Sequence, residues 1–118
     1  MRTLLDYFLP FKIVDVSTAG QVYIPVPDAG EVIKIITALN GAIGTADVTL
    51  TPKIAGTAIT NGAITIAYSG SAAGDVDSSE PTAANAVQEG DTIEIETDGA
   101  STNTVEVNGV IIIRRSFK

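Results

Sequence analysis

The sequence predicts an all-β domain, an antiparallel β-sandwich of jelly-roll-like order. Three observations predict it. The aliphatic positions are filled mainly by Ile, Val and Ala, Thr is abundant, and Leu and aromatic residues are few. β-Branched side chains are stiff at χ1 and fit a pleated surface better than a helix. Apolar and polar residues alternate with period two over several short runs, which is the mark of half-buried strands. Turn residues punctuate those runs roughly every ten residues, the spacing of a sandwich or barrel. A chain of 118 residues makes one domain and buries roughly two-thirds of its unfolded surface.

The elements follow in order. Residues 1–19 read as an N-terminal arm or first edge segment, a helical turn and then an extended piece, because Pro10 stops a long helix. Residues 20–118 read as the sandwich. Val22, Ile24 and Val26 alternate, and Pro25 and Pro27 mark an edge or an ending. Glu31 to Leu39 is a nearly continuous β-branched run, a central strand closed by Asn40-Gly41. Asp47 to Ile54 alternates again, with Pro52 weakening its centre. Asn61-Gly62, between Ile59-Thr60 and Ala63 to Tyr68, predicts a type I′ hairpin. The stretch GDVDSSEPTAANAVQEGD, from Gly74 to Asp91, is long for a structureless loop in a compact domain. Pro81 suits the start of a short helical turn running to Gln88, with Val87 on the core and Gly90 at the stop. Asp91 to Thr97 puts Ile93 and Ile95 inside and Glu94 and Glu96 outside. Residues 104–115 form either a hairpin at Asn108-Gly109 or one long strand with a bulge, and the short first piece favours the long strand.

The chain has no cysteine, histidine or tryptophan. That removes a thiolate nucleophile, the usual general base near neutral pH and the commonest transition-metal ligand, and it weakens any case for a sugar-stacking platform. Ser and Thr have no partner that would activate them, and Lys34 and Lys53 stand alone in strands. Glu94 and Glu96 share a face at roughly 6–7 Å along a strand, but alternating outward Glu is an ordinary solvent face. An enzyme is therefore not expected, and no catalytic residue or cofactor is assigned. Asp75, Asp77, Glu80 and Asp91 offer oxygens to calcium. An EF-hand is excluded, since Glu80-Pro81 stands where a Gly is needed and Ala86 stands at the twelfth place. An irregular calcium site on the sandwich rim is the alternative; the expectation is a solvated crossover.

The net charge is −7, and no Lys or Arg lies from Ile54 to Ile113. An acidic domain repels phosphate, so nucleic acid is not an expected partner. MRTLLDYFLPFKIV is interrupted by Asp6 and Pro10, which suits neither a membrane span nor a targeting segment; a cytoplasmic product or a part of an intracellularly assembled particle is expected. The same stretch gathers Leu4, Leu5, Tyr7, Phe8, Leu9 and Phe11. These six are the candidate partner-binding residues, because aromatic anchors carry much of the energy of interfaces. The competing reading is that they cover one end of their own sandwich.

The ordered strands EVIKIITAL, ADVTLTPKIAGTAIT, AITIAYSGSAAGDV and NAVQEGDTIEIETDGAST, closed by IIIRR, resemble the small capsid decoration, or cement, proteins of tailed bacteriophages. The likeness spans roughly Gly30 to Arg115 and rests on an ordered pattern rather than a diagnostic motif. It implies a sandwich, commonly a homotrimer, on the outside of an icosahedral head. There it bridges major capsid subunits without a cofactor. Synthesis in the host cytoplasm and residence on the virion exterior follow from it. The alternative is a recognition module such as a tail-fibre or head-fibre tip or a carbohydrate-binding domain.

Overall fold

The computed structural model describes residues 2–116. Among them there are ten strands and no helix: β1 (Asp6–Ile13), β2 (Gly20–Pro25), β3 (Gly30–Leu39), β4 (Val48–Ile54), β5 (Thr57–Ala58), β6 (Ile64–Ile66), β7 (Val76–Ser79), β8 (Ala86–Val87), β9 (Thr92–Thr97) and β10 (Val107–Arg115). They form two antiparallel sheets. The first runs β1-β10-β3-β7, with β8 also on β3; the second runs β2-β9-β4-β5, with β6 also on β4. The inner faces enclose one core, in which Val32, Ile35, Val48, Ile93, Ile95, Val107, Ile111 and Ile113 are almost completely buried. The antiparallel β-sandwich expected from the alternation is the observed fold.

Strand β10 is continuous through Asn108-Gly109, so the long strand, not the hairpin, is what forms. Its irregularity lies elsewhere. Ile112 pairs with Lys34 and Ile113 with Val32, which leaves Ile33 as the extra residue of a bulge in β3. The bulge lets Val32 and Ile35, three residues apart, both enter the core. Gly109 has a different task. It faces Phe11 across the β1–β10 pair, and a Cβ there would lie 2.1 Å from the ring's Cζ. The Phe11 ring occupies the space of the missing side chain.

Two local expectations are corrected. The two-residue hairpin is at Ala55-Gly56, between β4 and β5, with φ of 51° and 82° as a type I′ turn requires. Asn61 is left-handed too (φ 60°), but the strands flanking it do not pair with each other. Both β5 and β6 instead pair with β4, one after the other. Pro52 lies between their pairing ranges, and its carbonyl accepts from Ile59 N–H at 2.9 Å. Amide and carbonyl of one strand residue point to the same side, so its missing N–H falls at the change of partner and costs the β4–β9 ladder nothing.

The second correction concerns Gly74 to Asp91. No helical turn forms at Pro81 to Gln88. Ala84 takes φ 53°, which ends any right-handed turn. The nearby backbone is claimed by Thr60, whose N–H donates to Ala83 and whose carbonyl accepts from Thr82, each at 3.0 Å. The stretch instead supplies β7 and β8, two short pieces edging β3. Buried Asn85 fills the gap between them. Its carbonyl accepts from Val32 N–H at 2.9 Å, and its side-chain amide donates to the Val32 carbonyl at 2.7 Å. Val87 is buried, as expected, but from a strand.

The N-terminal strand is pinned to β10 by charge. Arg114 donates to both oxygens of the buried Asp6 carboxylate, at 2.9 and 3.2 Å, a bidentate geometry. Arg2 lies 3.9 Å from the same group. Hydrogen bonding from Arg114, helped by Thr3 and opposed by desolvation, lowers the Asp6 pKa from 3.8 to about 2. A carboxyl depressed in the folded state contributes stability that is present above its unfolded pKa and lost as pH falls through the folded one. The Asp6 contribution is thus full above about pH 4 and disappears toward about pH 2.

Two predictions follow from this packing. Gly109→Ala destabilises the fold by about 1–3 kcal/mol through overpacking, and Phe11→Ala by about 3–5 kcal/mol through a cavity. In denaturant unfolding, Phe11→Ala combined with Gly109→Ala loses less than the sum of the two single changes; strict additivity would mean that the two sites do not share the space. Separately, Asp6→Asn flattens the acid limb of the stability–pH profile between about pH 4 and pH 2. Urea midpoints that fall in parallel for the wild type and the variant over that window would show that the Asp6–Arg114 pair is not responsible.

Candidate partner-binding face

The six N-terminal residues singled out in the sequence are divided by β1. Strand alternation turns Tyr7, Leu9, Phe11 and Ile13 inward and Asp6, Phe8, Pro10 and Lys12 outward. Phe11 is in the core, and Tyr7 and Leu9 pack against it half-buried. Tyr7 is further fixed by donating its hydroxyl to the Asp28 carbonyl at 2.5 Å. The Arg115 guanidinium sits 4.9 Å over the Tyr7 ring and donates to the Asp28 carboxylate at 3.0 Å. Desolvation and the Asp28 charge push the Tyr7 hydroxyl's pKa up. Leu4, Leu5 and Phe8 remain exposed, Phe8 at 54%. Leu4 and Leu5 cap a tight turn in which Asp6 N–H donates to the Thr3 carbonyl at 3.1 Å.

Phe8 does not stand alone. It opens a face that the sequence reading left unassigned, the outer surface of the β1-β10-β3-β7 sheet. Register places Phe8 opposite Ile112, Pro10 opposite Val110, Ile36 opposite Val110 on the other side, and Val76 opposite Ala38. Ile112 points outward yet is only 3% exposed, and it lies outside the core cluster. Its cross-strand neighbours Phe8 and Lys34 flank it. Beside this ridge lies a groove of about 190 Å³ lined by Ile36, Ala38, Val76, Asn108 and Val110. The rim is charged and largely paired. Lys12 lies 3.6 Å from Glu106, Lys34 lies 3.7 Å from Glu80, and Arg114 holds Asp6. The signal in the sequence was the triplet Ile111-Ile112-Ile113. Three successive apolar residues in a strand cannot all face one core, so such a run predicts a strand apolar on both sides.

The outer face of the second sheet has another character. Gln21, Tyr23, Thr51, Lys53, Glu94 and Glu96 point out from it. Glu96 is engaged by Lys53 at 3.2 Å, so the two glutamates form a solvent face with a salt bridge. The acidic crossover is used piecewise. Asp75 accepts from Ala72 N–H and Asp91 from Gln88 N–H, both at 2.9 Å, which closes two tight turns. Glu80 serves Lys34. Burial, with the Asp75 charge added, pushes the Asp77 carboxyl up. Among the described residues no group of three or more acidic side chains is placed to hold a metal ion, and no helix is long and apolar enough to cross a membrane.

No protein-family model matches the chain, and no curated protein matches it in sequence. Solved structures match it in fold. A chain of the acidic stable capsid structure of Helicobacter pylori bacteriophage KHP30 has a TM-score of 0.58 at 13% identity, covering 93% of this chain and 87% of that one. A chain of the cyanophage Pam1 capsid asymmetric unit has a TM-score of 0.54 at 12% identity, covering 94% and 85%. The β-sandwich described above is thus a fold shared, over nearly its whole length, with chains found in two phage capsids.

Proposed function

We propose that this chain is a structural protein of a bacteriophage capsid, a decoration or cement protein on the outer surface of an icosahedral head. It bridges neighbouring major capsid subunits and stabilises the shell by buried area, without catalysis or cofactor. The observation that carries the reading is the fold match over 93% and 94% of the chain to chains of two phage capsid structures. The chain path agrees with it. Counting β5 with β6 and β7 with β8 as interrupted strands gives two four-stranded sheets in the order of a double-sheet jelly roll. Synthesis in the host cytoplasm, assembly as a homotrimer and residence on the virion exterior belong to the same proposal. Its shell contact is assigned to the exposed leucines of the N-terminal turn, Leu4 and Leu5, which the sandwich leaves uncovered.

The test is the copy number on purified particles. A decoration protein is present in hundreds of copies per head. A handful of copies would instead mark a fibre or tail tip, and absence from particles would end both readings. Replacing Leu4 and Leu5 together by Ser is expected to lower particle occupancy at least tenfold with the unfolding midpoint unchanged. Undiminished occupancy would remove the N-terminal turn from the shell contact.

A further inference from the structure

We infer that the outer face of the β1-β10-β3-β7 sheet is the surface through which copies of this chain meet. This deepens the self-association proposed above, by assigning its surface. Three observations converge on a second copy as the occupant.

The first is charge. Of the chain's 14 acids and 7 bases, four of each belong to this face: Asp6, Glu31, Glu80 and Glu106 against Arg2, Lys12, Lys34 and Arg114. Elsewhere among the described residues, ten acids face only Lys53 and Arg115. The acid excess of the protein therefore lies off this face. Two such chains repel each other through their other surfaces. Contact here sends the acidic sheets apart and brings together balanced rims.

The second is shape. The face carries both a ridge, at Phe8 over Ile112, and the 190 Å³ groove at Ile36, Val110 and Val76. A ridge and a shallow groove on one surface offer a second copy of that surface something to fill and something to enter. A two-fold contact makes the exchange reciprocal, and a closed ring passes it on.

The third is extent and the state of the edge. Three strands of about eight residues and the four-residue β7, at ~4.8 Å between strands and ~3.4 Å per residue, make a flat face of roughly 450 Å². That is a little over half of the roughly 800 Å² per partner of a stable interface, the extent of a weak, concentration-dependent contact. Edge-to-edge pairing at β1 is the competing route. Pro10, in the middle of β1, has no N–H to offer a new strand, and Lys12 adds a charge to the outward set. The edge is guarded while the face is open.

The test is the mass in solution, by sedimentation of the full chain from about 1 to 100 μM at low and at high salt. The expected result is a mass above 12.1 kDa that grows with concentration, and grows further with salt as repulsion between acidic bodies is screened. Val110→Lys and, independently, Val76→Lys on the edge strand should each raise the dissociation constant at least tenfold. Thr51→Lys makes the same charge change on the outer face of the second sheet and should leave association intact or strengthen it. Circular dichroism confirms that each variant folds. A wild-type monomer at every concentration and salt overturns both self-association and its surface. Association that the face variants weaken no more than Thr51→Lys does overturns the surface alone. Neither result bears on particle copy number, so the capsid reading stands or falls separately.

Discussion

Strand β10 lies between β1 and β3 along its length, with Val107, Ile111 and Ile113 in the core and Val110 and Ile112 turned outward. The rest of the first sheet depends on that strand. It joins the chain's first strand to its centre across a separation of about a hundred residues. Closing so long a loop costs entropy that only later contacts offset. The offset is concentrated here: a β-branched core ladder, the Phe11 ring filling the Gly109 gap, and the bidentate Arg114–Asp6 pair. Arg115 adds a third tie through Tyr7 and Asp28. Apolar packing supplies the driving force, and the charged pairs fix which residue stands opposite which.

The opposite edge of the same sheet is handled by different means. Central strand β3 has a full-length neighbour only on its β10 side. On the other side two short strands cover its ends, and Asn85 covers the middle with one carbonyl and one amide. A buried backbone N–H and C=O left without partners would cost about as much as lost hydrogen bonds. Asn is able to satisfy both, because it carries a donor amide as well as its own backbone carbonyl. Three acids of Gly74 to Asp91 take further work: Asp75 and Asp91 close turns and Glu80 meets Lys34. That is why an acid-rich stretch reads as a connection once its hydrogen bonds are traced.

What the sequence revealed follows from the range of the interaction concerned. Period-two alternation is local, and it located the cores of β2, β4 and β9 to within a residue or two, as the continuous β-branched run did for β3. The facing of Ile93 and Ile95 against Glu94 and Glu96 was legible for the same reason. The hairpin was misplaced because Asn61 and Ala55 are both left-handed but only Ala55 is followed by a left-handed glycine, Gly56, and β5 and β6 each pair with β4 rather than with each other. The helical turn failed because Thr60, some twenty residues earlier, claims the backbone that a helix would need. In the N-terminal stretch the aromatic cluster was visible, but its division was not. Pairing with β10 sets the parity that sends Phe11 inward and Phe8 out. The outer face of β10 and β3 was missed although Ile111-Ile112-Ile113 announced it, because the run from Glu31 to Leu39 was read as a central strand without asking what covers its second apolar side.

The two sheets thus divide the chain's chemistry between them. The second sheet and the loops carry the acid excess, with Thr and Glu filling outward positions that alternate with a buried Ile or Leu. The outer side of the first sheet carries paired ions around an apolar middle. Folding alone does not require this division, since an outward position of a sandwich tolerates Thr as readily as Val or Ile. Apolar side chains at Phe8, Ile36, Val76 and Val110 add little to the monomer, because water still reaches them. They acquire value only when another surface covers them. Ion pairs that are already closed, Lys12–Glu106, Lys34–Glu80 and Arg114–Asp6, demand no charge from that surface and leave little to desolvate uncompensated. A face with an apolar middle and a largely paired rim suits contact with a surface of little net charge. On a molecule of net charge −7, whose acid excess lies on its other surfaces, this is the physical ground for the self-association proposed above.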